Sequence, residues 1–195
     1  MSNKQAEIMQ AAISLFQQKG YHATSMQDIA DAVGLQKGSL YHYISGKEDL
    51  LVVIMHDALG QYNARLAEVA GLDLPVRQRL EMAVRDHLQG IAENLGMLTI
   101  FLRESYALNP EQQQQIAEES DRYNRMFEAL FAEGVAKGEI RDLDPKLATR
   151  TVLGACNWLY RWYRPDGRYS IDAMCDFFID LLFGGIAAGS PALHR

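Results

Sequence analysis

A short polar stretch near the start of the chain carries the side chains best suited to contact a nucleic acid. From Gly34 to Lys47 there is no Asp or Glu, although the chain has a formal net charge of −6. A helix here would expose hydrogen-bond donors and flat rings in place of the Glu/Lys mixture of an ordinary solvated face. These side chains are Gln36, Lys37, Ser39, Tyr41 and His42. Nucleic-acid binding needs only such a local surface, so the negative charge of the whole chain does not exclude it.

Two short helices and a turn must position these side chains. Periodicity and capping residues predict a helix from about Ser25 to Val33, followed by a turn at Gly34. The second helix is predicted from about Gln36 or Lys37 to Tyr43. This arrangement matches the DNA-binding helix-turn-helix, in which the second helix enters the major groove. The apolar residues expected to fix the angle between the helices are Ile29, Ala30, Val33 and Leu40.

Two glycines in this motif have different predicted roles. Gly34 suits a turn that requires a positive φ angle. Gly38 lies in the first turn of the second helix, where a glycine costs about 1 kcal/mol relative to alanine. Because glycine has no side chain, we expect Gly38 to let the backbone approach DNA closely.

Other functions remain open from the residues alone. Two short helices at an angle also occur in bundles without nucleic acid, and an all-α adaptor for another protein would share the pattern. A di-iron enzyme requires Glu-x-x-His motifs, but none of the histidines has Glu three residues before it. A Gly-x-Ser-x-Gly elbow and a phosphate-binding loop are also missing from the sequence. We therefore expect no enzyme activity and no cofactor.

The cysteines and the apolar segments limit the class of protein. Cys156 and Cys175 lie in separate predicted helices without Cys-x-x-Cys or zinc-ligand spacing, so we expect neither a disulfide framework nor a metal site. The sequence begins without a charged-then-apolar leader, and its apolar stretches are far shorter than a membrane span. These features predict a cytoplasmic protein with no membrane partner.

Helical periodicity extends over nearly the whole chain. No segment alternates convincingly as a strand, and the pattern predicts an all-α fold of about nine helices. Asn109-Pro110 and Asp144-Pro145 each place an N-cap acceptor before a proline at the first helical position, and Ser170 is a further N-cap. The stretch from Gly71 to Pro75 breaks the pattern after the fourth helix, as either an interhelical loop or a domain linker.

The N-terminal quarter of the chain resembles a known family. Three linked motifs between about Lys4 and Ile54 carry the resemblance: Ala30-Asp31-Ala32-Val33-Gly34, Lys37-Gly38-Ser39-Leu40-Tyr41-His42-Tyr43 and Lys47-Glu48-Asp49-Leu50-Leu51. Together they look like the N-terminal domain of TetR-type transcriptional regulators. The resemblance implies a DNA-binding domain at residues 1–50 and a helical domain at residues 51–195 that dimerises and binds an effector. It also implies a homodimeric repressor that a small ligand releases from a palindromic double-stranded DNA operator.

The resemblance assigns DNA contacts to individual side chains. Gln36 and Ser39 are the expected base readers, because Gln bonds bidentately to adenine and Ser serves several bases. Lys47 is expected at the start of a helix, where free N–H groups and the positive dipole end favour an anion. Core packing is an equal alternative for Tyr43. The full set of DNA-binding candidates is Thr24, Ser25, Gln36, Lys37, Gly38, Ser39, Tyr41, His42, Tyr43 and Lys47.

Polar side chains interrupt the apolar faces of the C-terminal helices. Buried polar groups are either paired within the protein or face a ligand cavity, and both alternatives are open for Arg103 with Glu104. The segment from Gly154 to Gly167 resembles a helix and exit loop of regulators associated with acyl-CoA thioesters, which implies an acyl-CoA or a related hydrophobic acid as effector. Arg161 and Arg164 either lie near its charged end or, as we favour, cap the helix dipole. The pocket candidates are Met97, Phe101, Arg103, Glu104, Tyr123, Met126, Phe127, Asn157, Trp158 and Trp162.

The last two long helices carry more apolar surface than one partner face would bury. They are predicted at about Pro145 to Tyr163 and about Ser170 to Ile186. Such helices suit a four-helix interface between two copies of the chain, with the two-fold symmetry that a palindromic operator requires. We therefore expect a homodimer through helices about 145–163 and 170–186.

Overall fold

Helices account for the regular structure in the described part of the chain. The computed structural model describes residues 3–95, 98 and 108–185. Eight α-helices, one short 3₁₀ helix and no β-strand lie within these residues, so the all-α prediction is confirmed. The α-helices are α1 (Asn3–Lys19), α2 (Met26–Ala32), α3 (Lys37–Leu40), α4 (Lys47–Ala70), α5 (Val76–Glu93), α6 (Pro110–Ala136), α7 (Pro145–Asn157) and α8 (Ile171–Gly184). No helix among the described residues is long and apolar enough to cross a membrane.

The chain divides into two compact units. The described residues of Met1–Gln61 and Leu95–Glu119 form the first unit, and those of Tyr62–Asn94 and Ser120–Arg195 form the second unit. The helix-turn-helix therefore belongs to the first unit. The helices α7 and α8 belong to the second unit.

The helix-turn-helix forms where the sequence predicts it. A reciprocal capping box starts α2: the Ser25 hydroxyl accepts from the Asp28 N–H at 3.1 Å, and the Asp28 carboxylate accepts from the Ser25 N–H at 2.8 Å. After α2, Gly34 has a φ angle of +66°, in the left-handed region that favours glycine. The helix α3 ends at Leu40, earlier than predicted, because the following backbone N–H groups bond three residues back as in tight turns.

An apolar core holds the helix-turn-helix in the first unit. All four residues predicted to fix the interhelical angle are buried in it: Ile29, Ala30, Val33 and Leu40. Other buried members come from α1, α4 and α6: Ile8, Ala12, Phe16, Leu50, Leu51, Ile54, Met55 and Ile116. Burying one large apolar side chain stabilises the fold by about 1.5–3 kcal/mol. The core therefore fixes the direction in which α3 presents its polar side chains.

The predicted N-caps of the second unit are present. The Asp144 carboxylate accepts from the Leu147 N–H at 2.7 Å at the start of α7. The Ser170 hydroxyl accepts from the Ala173 N–H at 3.2 Å at the start of α8. Each cap satisfies a backbone N–H that has no partner within its helix.

The helix α7 changes its hydrogen-bond pattern before its predicted end near Tyr163. The α-helix stops at Asn157, and a 3₁₀ helix continues over Trp158–Arg161. The Trp162 N–H then donates to the Leu159 carbonyl at 3.2 Å, a bond three residues back. A tighter 3₁₀ turn, rather than a continuous α-helix, therefore places the aromatic residues of this segment.

A buried arginine organises the connection between α4 and α5. The Arg79 guanidinium donates to the carbonyls of Ala70 at 2.7 Å and Leu74 at 3.2 Å, and to the Glu133 carboxylate of α6 at 2.6 Å. The bonds from Arg79 and then Lys137 hold the pKa of Glu133 below its ordinary value. The break predicted after the fourth helix is therefore an interhelical loop of the second unit.

Candidate functional site

The polar residues around α3 form an exposed surface, which we call the α3 surface (residues 36–39 and 41–43). Leu40 lies beneath it and is fully buried, so it anchors the short helix to the core of the first unit. The exposed side chains are Gln36, Lys37, Tyr41, His42 and Tyr43, and Ser39 is half-buried. The structure therefore brings six of the predicted DNA-binding side chains together on one surface.

Tyr43 is not a core residue. Its side chain is 39% exposed, and the neighbouring Ile44 packs against the core of the first unit instead. The alternative of core packing is therefore wrong for Tyr43. Its ring is available on the α3 surface for a partner.

Gly38 has no packing role within the described chain. A Cβ atom built at this position would have no neighbour within 4 Å, and the backbone of Gly38 does not have a positive φ. Neither crowding nor backbone conformation therefore requires glycine here. This result is consistent with a close approach of the backbone to another molecule.

Lys37 is the available cation of the α3 surface. Residues 3–54 contain four lysines and no arginine. Lys4 donates to the Val33 carbonyl at 2.9 Å, and Lys19 bonds to the Asp28 carboxylate at 2.7 Å. Lys37 is exposed and makes no hydrogen bond or ion pair with the described residues.

The ammonium group of Lys47 is bound inside the first unit, in an arrangement that we call the Lys47 clamp. Its Nζ donates to the carbonyls of Tyr21 at 2.8 Å and Thr24 at 3.0 Å, and it also lies 3.4 Å from the His22 carbonyl. The same Nζ lies 4.5 Å from the centre of the Tyr21 ring. These contacts use all three N–H donors of the group. Lys47 does start α4 as predicted, but its ammonium group holds the α1–α2 connection instead of facing a phosphate.

Thr24 and Ser25 are also engaged within the protein. Thr24 is 1% exposed, and its hydroxyl lies 2.9 Å from the Gly20 carbonyl, to which it donates. The expected phosphate contact of the Thr24 side chain is therefore wrong. Ser25 is exposed, but its hydroxyl donates to the Asp28 carboxylate at 2.6 Å. The capping box thus satisfies the Ser25 hydroxyl within the protein, without a DNA phosphate.

A chain of hydrogen bonds crosses the interior of the second unit. His87 of α5 is 7% exposed, and its Nε2 lies 3.0 Å from the Asn157 Oδ1. Since an amide oxygen only accepts, Nε2 carries the hydrogen, and Nδ1 accepts from the Tyr123 hydroxyl at 3.0 Å. Burial lowers the pKa of His87 to about 4, against the opposing effect of the bond to Asn157. The imidazole is therefore neutral near pH 7.

A small cleft opens beside this chain of hydrogen bonds, and we call it the Tyr62 cleft. The space inside it is about 10 Å³, enough for about one water molecule. Its lining residues all belong to the second unit: Tyr62, Arg65, Leu66, Ala83, Asp86, His87 and Tyr123. Neutral polar groups, aromatic rings and one pair of opposite charges thus surround the space.

The predicted pocket residues do not all meet at this cleft. Tyr123 lines it, while Phe127 is buried beside the Tyr123 ring at a centroid distance of 5.4 Å, and Met126 is half-buried. Asn157 is paired internally with His87. Four further candidates lie outside the described residues: Met97, Phe101, Arg103 and Glu104.

The two tryptophans are not enclosed by the second unit. Trp158 is 60% exposed and Trp162 is 45% exposed, and neither lines the Tyr62 cleft. The sequence pattern placed them in a pocket because apolar periodicity does not distinguish a ligand cavity from a face that another chain covers. Their predicted pocket role is therefore corrected to a surface position.

Among the described lining residues, Tyr123 was predicted from the sequence and six others were missed: Tyr62, Arg65, Leu66, Ala83, Asp86 and His87. His87 follows Leu80, Ala83 and Val84 on the buried face of α5, so its polar side chain interrupts an apolar stripe. This is the same signal that singled out Asn157. Tyr62 had no comparable polar signal, because it continues the apolar stripe of Leu59, Leu66 and Val69 on α4, so its pattern indicates only core packing.

No group of side chains suited to a metal ion occurs in the described part of the chain. Both cysteines are free and buried, and burial raises the pKa of Cys156 to about 12 and that of Cys175 to about 11. Their thiols are therefore protonated near pH 7 and are poor metal ligands or nucleophiles.

Comparison with known proteins identifies the family. Residues 8–54 match the family described as bacterial regulatory proteins, tetR family, and residues 73–186 match a tetracyclin repressor-like C-terminal domain. The second match covers more than half of the chain. The chain therefore belongs to the TetR family of bacterial transcriptional regulators.

Three similar proteins extend over nearly the whole chain. The transcriptional repressor KstR2 of Rhodococcus jostii is 28% identical over 96% of this chain and 93% of its own length. The fatty acid metabolism regulator protein of Bacillus subtilis is 29% identical over 94% of this chain and 95% of its own. A similar solved structure is the crystal structure of AibR in complex with isovaleryl coenzyme A and operator DNA. The AibR sequence is 30% identical to this chain, and the match covers 93% of this chain and 98% of AibR with a TM-score of 0.84.

Loss of the Lys47 clamp should destabilise the protein. We expect Lys47→Met to lower the free energy of unfolding by about 2 kcal/mol, because the carbonyls of Tyr21 and Thr24 lose a charged donor. Lys37→Met is the matched control and should leave stability unchanged, since Lys37 has no partner among the described residues. Urea denaturation followed by circular dichroism measures both. Equal stability of the two variants would contradict the clamp.

The buried His87 should make stability depend on pH. Its folded-state pKa of about 4 lies below the value of 6.5 for an unperturbed histidine, so the unfolded chain takes up the proton first as the pH falls. Stability is therefore lost between pH 6.5 and 4, by about 2 kcal/mol between pH 7.5 and pH 5. We expect His87→Gln to lose less stability than the wild type over this interval, as measured by urea denaturation at both pH values. An identical pH dependence of the two proteins would contradict a buried neutral His87.

Proposed function

We propose that this chain is a ligand-responsive repressor that binds a palindromic operator as a homodimer. In this proposal, residues 1–50 bind DNA, and residues 51–195 dimerise and bind an effector that releases the DNA. The observation that carries the proposal is the α3 surface, where exposed donors and rings lie on a short helix anchored by a buried Leu40. The family matches at residues 8–54 and 73–186 support the same division of roles.

The α3 surface offers both base readers and phosphate contacts. Gln36 and Ser39 bond to base edges in the proposed complex, while Lys37 and Tyr41 contact phosphate or base edges. His42 and Tyr43 contact the DNA backbone. Because three of the four lysines of residues 3–54 are bonded internally, each subunit has few cations for phosphates. Operator affinity therefore depends on two subunits binding together and falls with salt.

An exposed apolar face on α7 and α8 supports the proposed dimer. Leu147 and Trp158 are exposed along α7 and the turn that follows it, together with the small residues Gly154 and Ala155. Phe177 is exposed on α8. Large apolar side chains grouped on two helices mark a surface that another protein covers. We assign this face to a second copy of the chain, in a four-helix interface with two-fold symmetry.

The proposed effector is an acyl-CoA or a related hydrophobic acid. The names of two similar proteins support this class, since one is a fatty acid metabolism regulator and the other was crystallised with isovaleryl coenzyme A and operator DNA. We place the binding site of the effector within residues 51–195. Effector binding there lowers DNA affinity if the ligand prefers the conformation that does not bind the operator.

Removing single donors from the α3 surface should weaken DNA binding without affecting the fold. We expect Lys37→Ala and Tyr41→Ala each to reduce operator affinity by about tenfold or more. Melting temperature and dimer mass should stay unchanged, because neither side chain has an internal partner. Arg141→Ala is the matched control, as Arg141 is an exposed basic residue of the second unit that makes no hydrogen bond or ion pair with the described residues. An electrophoretic mobility shift assay with a selected operator measures the affinity. If the wild type causes no salt-sensitive shift of duplex DNA, the adaptor function is favoured instead.

A side chain at Gly38 should block DNA binding but not folding. We expect Gly38→Leu to spare the thermal melt, because a Cβ atom there meets nothing within 4 Å, and to abolish operator binding by holding the backbone away from DNA. Gly60→Leu is the matched control, since Gly60 is an exposed helical glycine whose Cβ position is also open. Retained operator affinity in a folded Gly38→Leu dimer would contradict the close approach.

A further inference from the structure

The α3 surface has little permanent positive charge. Residues 3–54 contain four lysines and no arginine. The ammonium groups of Lys4, Lys19 and Lys47 bond within the first unit, which leaves Lys37 on the α3 surface. Because each phosphate that a protein neutralises adds to its DNA affinity, a surface with a single lysine is sensitive to any further charge. One more cation would double the positive charge of the α3 surface.

His42 is the second basic side chain of this surface. It is exposed, and its ring makes no hydrogen bond, ion pair or ring contact with the described residues. No charged or titratable group of another described element therefore contacts the ring. On its own segment, Asp and Glu are missing from Gly34 to Lys47, and the other titratable groups of the α3 surface are Lys37, Tyr41 and Tyr43. His42 can thus take up a proton without breaking a contact inside the protein.

The other described histidines of the first unit have different surroundings. His56 of α4 bonds through its Nδ1 to the Glu119 carboxylate of α6 at 2.8 Å. The His22 ring packs edge-on against the Tyr21 ring at a centroid distance of 5.3 Å. Neither histidine lies on the α3 surface. They therefore provide controls for an effect that arises where α3 meets DNA.

DNA itself supplies the negative charge that His42 lacks in the free chain. Histidine is the side chain whose charge ordinarily changes between pH 5 and 8, and nearby negative charge favours its protonated form. In the proposed complex His42 contacts the DNA backbone, so phosphates lie beside the ring only when DNA is bound. A proton that is held more tightly in the complex than in the free protein increases the DNA affinity as the pH falls.

We infer that pH controls the DNA affinity of this chain through His42, which takes up a proton when the α3 surface contacts phosphates. The inference rests on the proposed DNA-binding function and deepens it, because it adds a regulatory input that is independent of the effector. Each subunit of the proposed dimer contributes one His42, so operator binding takes up at most about two protons.

Operator affinity at pH 8 and at pH 6 tests the role of His42. Fluorescence anisotropy with a selected operator is measured at constant ionic strength, and circular dichroism checks that each protein is folded at both pH values. We expect the wild type to bind about tenfold or more tightly at pH 6 than at pH 8. His42→Gln should reduce this ratio to within about twofold, because glutamine carries no charge at either pH. His56→Gln is the matched control and should keep the wild-type ratio.

A permanent cation at the same position gives a second readout. His42→Lys should bind at pH 8 at least several-fold more tightly than the wild type and lose the pH dependence, because lysine is charged at both pH values.

The salt dependence separates a phosphate contact from a change of structure. For the wild type, the slope of log affinity against log salt concentration should be more negative at pH 6 than at pH 8 by about 1 to 2, since each protonated His42 neutralises a phosphate. An identical slope at both pH values would contradict a direct phosphate contact and overturn the inference.

The outcomes distinguish this inference from the proposed function. If the wild type binds the operator equally well at both pH values, or if His42→Gln keeps the wild-type ratio, the inference is overturned and the DNA-binding function stands. Loss of the ratio in His22→Gln or His56→Gln, with His42→Gln unaffected, assigns the proton to another histidine and also overturns the inference. If the wild type binds no duplex DNA at either pH, the proposed function fails and the inference fails with it.

Discussion

The Lys47 clamp is the interaction on which the arrangement of the first unit depends. One ammonium group at the start of α4 bonds to the backbone of the α1–α2 connection, at the Tyr21 and Thr24 carbonyls, and lies against the Tyr21 ring. The Tyr21 carbonyl also accepts from the Thr24 N–H at 3.3 Å, so the turn and the ammonium group share this acceptor. The clamp therefore ties the start of α2 to the start of α4. The short α3 lies between these two points in the sequence and is anchored beneath by Leu40.

The two units use their polar groups in opposite ways. In the first unit, most lysines bond to backbone or acidic groups, and the α3 surface keeps the side chains that have no internal role. In the second unit, polar groups are inside: Tyr123, His87 and Asn157 satisfy one another, and the Tyr62 hydroxyl has no hydrogen-bond partner among the described residues. A buried polar network is stabilising only when it is fully satisfied, so a free donor beside it indicates a ligand or water. The unpaired polar side chains of the first unit thus lie on the α3 surface, whereas the paired ones of the second unit lie inside.

Sequence-based prediction succeeded for contacts between residues close together in the chain and failed for contacts between residues far apart in it. The capping box of Ser25 and the left-handed Gly34 were predictable, because each depends on residues within one helical turn. The Lys47 clamp was not, since its acceptors are backbone carbonyls 23 and 26 positions away that carry no side-chain signal. The bond between His87 and Asn157 spans 70 positions, so the sequence marks each residue as an unusual polar group but does not pair them. Trp158 was misplaced because periodicity identifies an apolar face without identifying what covers it.

Selection of bound duplexes from a random pool tests most directly whether the α3 surface reads a two-fold symmetric DNA sequence. The selection is run with the wild-type protein and with Gln36→Ala. We expect the wild type to enrich a palindrome whose half-sites are about one helical turn of DNA, or a multiple of it, apart. Gln36→Ala should lose base preference at one symmetric pair of positions and keep the others. Failure of the wild type to enrich any sequence, or an identical preference in both proteins, would contradict the account.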